Sequence, residues 1–138
     1  MPKIADAALI TDDIAVRDAL KFVLEVEGLT VRLFDDCAAL LVANDPMCRC
    51  LVLEHGLPWL ARLELLEMLR ARHAHLPIII LTDRPSMELR RRARQVGVCE
   101  ILEMPFTANK FIDAVQAALR GEVSRVRSQR LRIVDNGP

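Results

Sequence analysis

Residues 77–83 read Pro-Ile-Ile-Ile-Leu-Thr-Asp, and this stretch decides the fold of the 138-residue chain. Its four consecutive aliphatic residues are too few for a helix and do not alternate with polar residues. That pattern is typical of a strand buried on both faces, as found in parallel sheets that helices cover on either side. The run ends at Thr82-Asp83, where polar residues return.

Similar strand-length runs recur along the chain, and each is followed by a segment with helical periodicity. The other predicted strands are Ala7–Ile10, an alternating strand at Leu29, Val31 and Leu33, Cys50–Leu53 running into Glu54, and Val98–Leu102. Gly28 is expected to end the first helix, and Asp36 to begin a short helix to about Val42. Asn44-Asp45-Pro46 is a turn signal, and Pro85-Ser86 is expected to begin an arginine-rich helix that ends near Gly97. Five βα units predict a doubly wound α/β fold.

Composition and charge exclude several classes of protein. Hydrophobic residues make up 52% of the chain and charged residues 28%, which is enough to bury one core. Basic and acidic residues cancel at 19 each, which disfavours direct nucleic-acid binding by a uniformly basic surface. No apolar run approaches the roughly 18 residues of a membrane span, so a cytoplasmic protein with no membrane contact and reduced thiols is expected.

Polar side chains follow the predicted strands at the edge where their carboxyl ends meet. Asp12 and Asp13 follow the first strand, Glu54 the third and Thr82 the fourth. Ligands of open α/β sheets bind at this edge, and carboxylates there can hold Mg²⁺. Helix capping by Asp12 and Asp13 is the alternative for the first pair, because carboxylates also accept bonds from free amides at a helix start.

Five motifs in the same order resemble the receiver domain of bacterial two-component response regulators, over about residues 7–120. They are Asp12-Asp13 with residues 15–20, Leu51–Glu54 with Leu57-Pro58, Pro77–Thr82, Val96-Gly97, and Leu102–Phe106. The resemblance implies a three-layer (βα)5 sandwich of the flavodoxin-like receiver type, with a parallel sheet in the order 2-1-3-4-5. We expect the receiver-like domain at residues 1–121 and a polar tail or linker at 122–138.

The resemblance also implies roles for individual residues. In the family an acidic pair binds Mg²⁺, an aspartate after strand three accepts phosphate, and a hydroxyl after strand four binds the phosphoryl group. Here Glu54 holds the phosphoacceptor position and Thr82 the hydroxyl position. Counting back from the helix shifts the acidic pair to Thr11 and Asp12 instead of Asp12 and Asp13.

Two further positions depart from the family. Met104 stands at the position of the phosphoryl-binding lysine, and Ile101 at that of the switch aromatic. The resemblance implies a cis Met104–Pro105 bond, an isomer that proline permits. Without the lysine, a Mg²⁺ site formed by Asp12, Asp13 and Glu54 would be weak or absent.

These departures predict a signalling domain that does not depend on phosphorylation and acts through protein–protein interaction, without enzymatic activity. The expected partner is a histidine kinase or a downstream signalling protein, and a homodimer is a further possibility. Three alternatives stay open: inefficient phosphorylation at Glu54 or another residue, the regulatory half of a DNA-binding regulator, and a small ligand- or metal-binding module or enzyme that reuses the acidic edge.

Candidate contact residues lie in two places. Trp59, the only tryptophan, is expected in the loop over the site, where it either covers the site or marks a contact surface. Arg90, Arg91 and Arg94 lie on an arginine-rich helix that many family members use for dimer or output contacts. The simpler interpretation of the arginines is a solvated helix face, because consecutive arginines point in several directions.

Overall fold

The computed structural model describes residues 4–34, 48–54 and 59–121, with the backbone alone at residues 59–63 and 65. Five strands in this part form one parallel sheet in the order β2-β1-β3-β4-β5, which confirms the predicted fold and strand order. The strands are β1 (Ala7–Ile10), β2 (Val31–Phe34), β3 (Leu51–Glu54), β4 (Ile78–Thr82) and β5 (Glu100–Glu103). The helices in the described part are α1 (Ile14–Val26), α2 (Trp59–Arg72), α3 (Met87–Gln95) and α4 (Ala108–Leu119).

The expected helix from Asp36 to Val42 and the turn at Asn44-Asp45-Pro46 lie outside the described residues. None of the described helices is long and apolar enough to cross a bilayer.

Every residue of β4 is buried, because alternate side chains enter two different cores. Ile78 and Ile80 pack on the face covered by α2 and α3, while Ile79 and Leu81 pack on the face covered by α1 and α4. The same alternation runs through β1 and β3. This two-sided burial explains why the sequence shows an unbroken apolar run at this strand.

Two strands differ from the sequence prediction. Leu33 is 38% exposed, because β2 lies at the edge of the sheet and has β1 as its neighbour on one side. The fifth strand begins at Glu100 and not at Val98. The amide of Val98 donates to the carbonyl of Ala93 at 2.9 Å after Gly97 turns with φ +77°, so Val98 completes the end of α3.

Three helices begin at side chains that accept from the first-turn amides. Asp13 caps α1, Ser86 caps α3 and Thr107 caps α4. Each oxygen satisfies one of the amides that have no partner inside the helix, so these residues fix where the helices start. For Asp13, the capping alternative given by the sequence is therefore confirmed.

Arg70 joins the ends of two helices near the amino-terminal edge of the sheet. From α2 its guanidinium donates to the carbonyls of His73 and Ala74, and it reaches the carbonyls of Val96 and Gly97 after α3. Those bonds are 2.8–3.2 Å long. Burial lowers the pKa of Arg70 from its ordinary value. The charge stays bonded to carbonyls at the negative ends of both helices.

Replacing Arg70 with Met should lower the free energy of unfolding by about 2–3 kcal/mol, because carbonyls at two helix ends lose a charged donor. Urea unfolding followed by circular dichroism measures the change. Arg94→Met, at an exposed position of α3, is the matched control and should change stability by less than about 0.5 kcal/mol. Equal effects of the two substitutions would contradict the role of Arg70.

Cys50 lies fully buried just before β3. Burial raises the pKa of its thiol, and the neighbouring thiols of Cys99 and Cys48 add to the rise. An unfolded thiol ionises near pH 8.5, so the stability that the buried neutral thiol contributes is complete below about that pH and is lost as the pH rises above it.

The free energy of unfolding should therefore fall between about pH 8.5 and 10. The chain has no tyrosine, so thiols are the main side chains that titrate in this range. In Cys50→Ala the slope of stability against pH should be smaller, whatever the absolute loss from the cavity. An unchanged slope in urea titrations of the variant would refute this account.

Candidate functional site

The candidate site lies where β1 and β3 end side by side. Ile10 pairs with Leu53 in the parallel register, so the next residues, Thr11 and Glu54, are neighbours across the two strands. Both continue the strand positions whose side chains face the α1 and α4 side of the sheet. The register alone therefore brings a hydroxyl and a carboxylate together.

Thr11 and Glu54 form a buried hydrogen bond. Thr11 Oγ1 donates to Glu54 Oε1, and the two residues are only 2% and 8% exposed. The same Thr11 oxygen accepts from the amide of Asp13 at 3.0 Å. This hydroxyl consequently joins the end of β3 to the start of α1, and it gives a buried carboxylate the donor that it needs.

Unlike the buried Glu54, the two aspartates after β1 lie at the protein surface. Both are exposed, and Asp13 Oδ1 accepts from the amide of Val16 at 3.1 Å as the cap of α1. With Asp13 starting the helix, Thr11 and Asp12 are the residues that directly follow the strand. Within residues 4–34, 48–54 and 59–121, no three His, Cys, Asp or Glu side chains come close enough to hold a metal ion.

Thr82 ends β4 and is completely buried. Its Oγ1 accepts from the amide of Arg84 at 3.2 Å, and its carbonyl accepts from the amide of Met104 at 2.8 Å. Thr82 thus fixes the turn after its own strand and the turn after β5 at once. Its position beside β3 places it on the same sheet edge as Glu54.

The residues after β5 are apolar. Met104 is half-buried against the α1 and α4 core, and the Met104–Pro105 bond is cis, the isomer that the resemblance implies. Ile101 is also half-buried and packs on the opposite face of the sheet. An aliphatic side chain and a thioether therefore occupy the two positions where the resemblance places an aromatic and a lysine.

Comparison with known proteins identifies the family. The model of the family described as "Response regulator receiver domain" matches residues 7–116. The chain belongs to this family. Receiver domains are the phosphorylation-controlled part of two-component signalling proteins, and response regulators interact with histidine kinases. These comparisons confirm the prediction that the chain is a receiver domain of the response-regulator family and belongs to two-component signalling.

Two of the relatives are named transcriptional regulatory proteins. This receiver domain is 37% identical over 133 residues to the transcriptional regulatory protein FixJ of Azorhizobium caulinodans, covering 96% of this chain and 63% of that protein. It is 33% identical to FixJ of Bradyrhizobium diazoefficiens, covering 88% of this chain and 60% of that one. The chain therefore spans less than two thirds of the length of these relatives.

Solved receiver structures share the fold. A CheY-like receiver domain from Methanospirillum hungatei superimposes with a TM-score of 0.76 at 20% identity, covering 86% of this chain and 95% of that one. Chemotaxis protein CheY4 of Vibrio cholerae gives 0.73 at 22% identity, covering 83% and 98%. At these identities the likeness shows the flavodoxin-like fold alone.

Receiver domains typically bind Mg²⁺ at their acidic phosphorylation site. In this chain Asp13 caps a helix and Glu54 is bonded to Thr11, so the expected ligands Asp12, Asp13 and Glu54 do not converge as a three-ligand set in the described part. The donor arrangement does not fit a site built from all three carboxylates.

The expected contact residues lie apart from this edge. The expectation that Trp59 lies in the loop is wrong, because it is the first residue of α2; its side chain is not among those that the structure describes. On α3, Arg91 is exposed and pairs with Glu88, Arg94 is exposed, and Arg90 is half-buried. The pair with Glu88 is an ordinary helix-surface ion pair, so this face stays a predicted interaction surface.

Sequence reasoning underrated Thr11 and missed Arg70. The sequence indicates Thr11 only through the shifted alignment of the acidic pair, although Thr11, like Thr82, is a hydroxyl residue directly after an apolar strand. The signal for Arg70 was weaker, because an arginine in the last turn of a helix is common and its reach to the end of α3 depends on tertiary structure.

Thr11→Val should lower the free energy of unfolding by about 1–3 kcal/mol, because the buried Glu54 carboxylate loses its hydroxyl donor. In Thr11→Val/Glu54→Met the loss should be smaller than the sum of the two single losses by about 1 kcal/mol. Urea denaturation of all four proteins measures this coupling. Glu103→Met, an exposed strand-end glutamate, should change stability little, and additive losses in the double variant would show that the pair does not interact.

Proposed function

We propose that this receiver domain signals without phosphoryl transfer, from a fixed conformation, through protein–protein contacts. The observation that carries the proposal is the buried hydrogen bond from Thr11 to Glu54. It occupies the carboxylate that stands at the phosphoacceptor position and ties it to the neighbouring strand.

Charge supports the proposal. With Asp13 as the helix cap, Thr11 takes the first position of the acidic pair, so the site has one carboxylate fewer than the family pattern. Met104 at the lysine position removes one cation. The two changes offset one another, and Glu54 is stabilised by a neutral hydroxyl where other receivers use an ammonium group and a metal ion.

Geometry supports it as well. Glutamate places its carboxylate one methylene farther from the backbone than aspartate does. Phosphoryl transfer needs in-line placement of the attacking oxygen, and misplacement by about 1 Å costs on the order of 10²-fold in rate. The half-buried Met104 thioether cannot neutralise the transferring group. Autophosphorylation from a small donor is thus expected to be negligible.

We propose that this domain contacts its protein partner through exposed helix surfaces. The arginine-bearing face of α3, with Arg90, Arg91 and Arg94, is the candidate surface for a protein partner, which is a histidine kinase or a downstream signalling protein. Trp59 is a second candidate. The proposed receiver unit ends at residue 121, after α4. Any Mg²⁺ binding is proposed to be weak.

Incubation with Mg²⁺ and acetyl phosphate, followed by intact mass, tests the proposal. The natural chain should gain no phosphoryl group. A restored variant, Thr11→Asp/Glu54→Asp/Met104→Lys, should gain one, because it regains the acceptor, an acid beside it and the cation. Glu54→Asp alone is the matched control and should gain much less than the restored variant.

Phosphorylation of the natural chain would overturn the proposal and identify an ordinary phosphorelay element. Peptide mapping would then show whether Glu54 or another residue carries the group. Capture of the same partner by the natural chain and by Glu54→Gln would support signalling that is independent of this carboxylate.

The relatives favour a second candidate function, the regulatory half of a DNA-binding transcriptional regulator. Both FixJ proteins are named transcriptional regulatory proteins, and the chain spans only 63% and 60% of their lengths. An antibody raised against residues 4–34 would measure the size of the native product in cells. A product larger by a further domain that binds DNA would support this function, and one of 15.5 kDa would contradict it.

A further inference from the structure

A cleft of about 390 Å³ opens between α1 and the turn that joins β5 to α4. Its volume lies within the range of small-molecule sites, about 300–1,000 Å³. Apolar side chains make up most of its lining: Val16, Ala19, Leu20, Met104, Pro105 and Phe106. Asp83, directly after β4, is the charged residue at its edge.

The walls combine a preformed side and an adaptable side. Leu20 is buried in the core, and the ring of Phe106 stacks on that of Phe111 with centroids 5.7 Å apart. These contacts hold one side in place. Met104 lies half-buried in the lining, and its unbranched thioether side chain adjusts to the shape of a ligand and contacts aromatic rings favourably.

Asp83 determines which charge a ligand of this cleft would carry. Its side chain is exposed, and among the residues that the structure describes no ion pair joins it to a cation. Its charge is therefore not neutralised by a partner in this part of the chain. An apolar cleft with one such carboxylate is complementary to a molecule that has an apolar body and a positively charged end, and it repels an anion.

We propose that this cleft binds a small organic cation, with a single aromatic ring against Met104 and Phe106 and an ammonium group at Asp83. The proposal goes beyond signalling without phosphoryl transfer and does not rest on it, because the cleft lining includes neither Glu54 nor Thr82. Binding of such a cation would make the conformation of the turn after β5 depend on the concentration of an amine.

Titration with 2-phenylethylamine tests the proposal, followed by the methyl NMR signals of protein labelled at methionine. The Met104 signal, assigned with Met104→Leu, should shift saturably with a Kd on the order of 1 mM, as expected for a ligand of about nine heavy atoms. Met87 is 86% exposed and lies outside the cleft, so its signal is the internal reference and should not move. The matched anion 3-phenylpropionate should bind at least tenfold more weakly.

Variants separate the apolar and ionic contributions. Ala19→Phe, at an exposed position of α1, should fill the cleft and abolish the Met104 shift. Asp83→Asn should weaken binding of the amine about tenfold, whereas Asp113→Asn, an exposed aspartate of α4 outside the lining, should leave it unchanged. Circular dichroism confirms that each variant is folded.

Three results would overturn the proposal. They are no saturable shift of Met104 with the amine, equal binding of amine and carboxylate, and equal effects of Asp83→Asn and Asp113→Asn. Each is independent of the phosphorylation test, because that test reads the mass of the protein in the absence of amine.

Discussion

The fully buried parallel sheet is the constraint on which the rest of this structure depends. Because alternate residues of β4 enter two cores, no polar side chain fits within the strand, and polar chemistry is displaced to the strand ends. The strand ends then lie side by side in register. Thr11 and Glu54 face one another for this reason, and Thr82 lies at the same edge.

Two residues at that edge, Thr11 and Met104, are considered together in the proposed function. A site with a buried carboxylate needs a donor or a cation, and loss of the cation at Met104 would leave several acids repelling one another. Thr11 supplies a neutral donor to the Glu54 carboxylate. In the proposed function, the hydrogen bond to Glu54 and the apolar Met104 after β5 belong together, because both describe a site that does not transfer a phosphoryl group.

Much of the fold could be predicted from the sequence, because the apolar runs that form β1, β3 and β4 are buried on both faces and are difficult to mistake. The edge strand β2 was harder to predict. It has fewer neighbours to bury its side chains, and Leu33 is exposed where alternation suggested a buried position. Val98 was assigned to a strand because it is apolar, although its amide completes the end of α3.

The sequence predicts where the candidate site lies, but it predicts only some of the hydrogen bonds within it. Strand ends identified Glu54 and Thr82, but the partner of Glu54 depends on which residue begins α1. Asp12 and Asp13 both suit a helix cap by residue type, and only the backbone shows that Asp13 takes that role. Long-range partners such as those of Arg70 have no local signal.

The opposite edge of the sheet has a further consequence. Arg49 donates to the carboxylate of Asp6 before β1 and to the carbonyl of Leu119 at the end of α4, so the first strand and the last helix are held together there. The strands place this point about 16 Å from the polar rim, which is five residues away at about 3.3 Å per residue. The first strand therefore begins and the last helix ends on the side of the sheet away from Glu54.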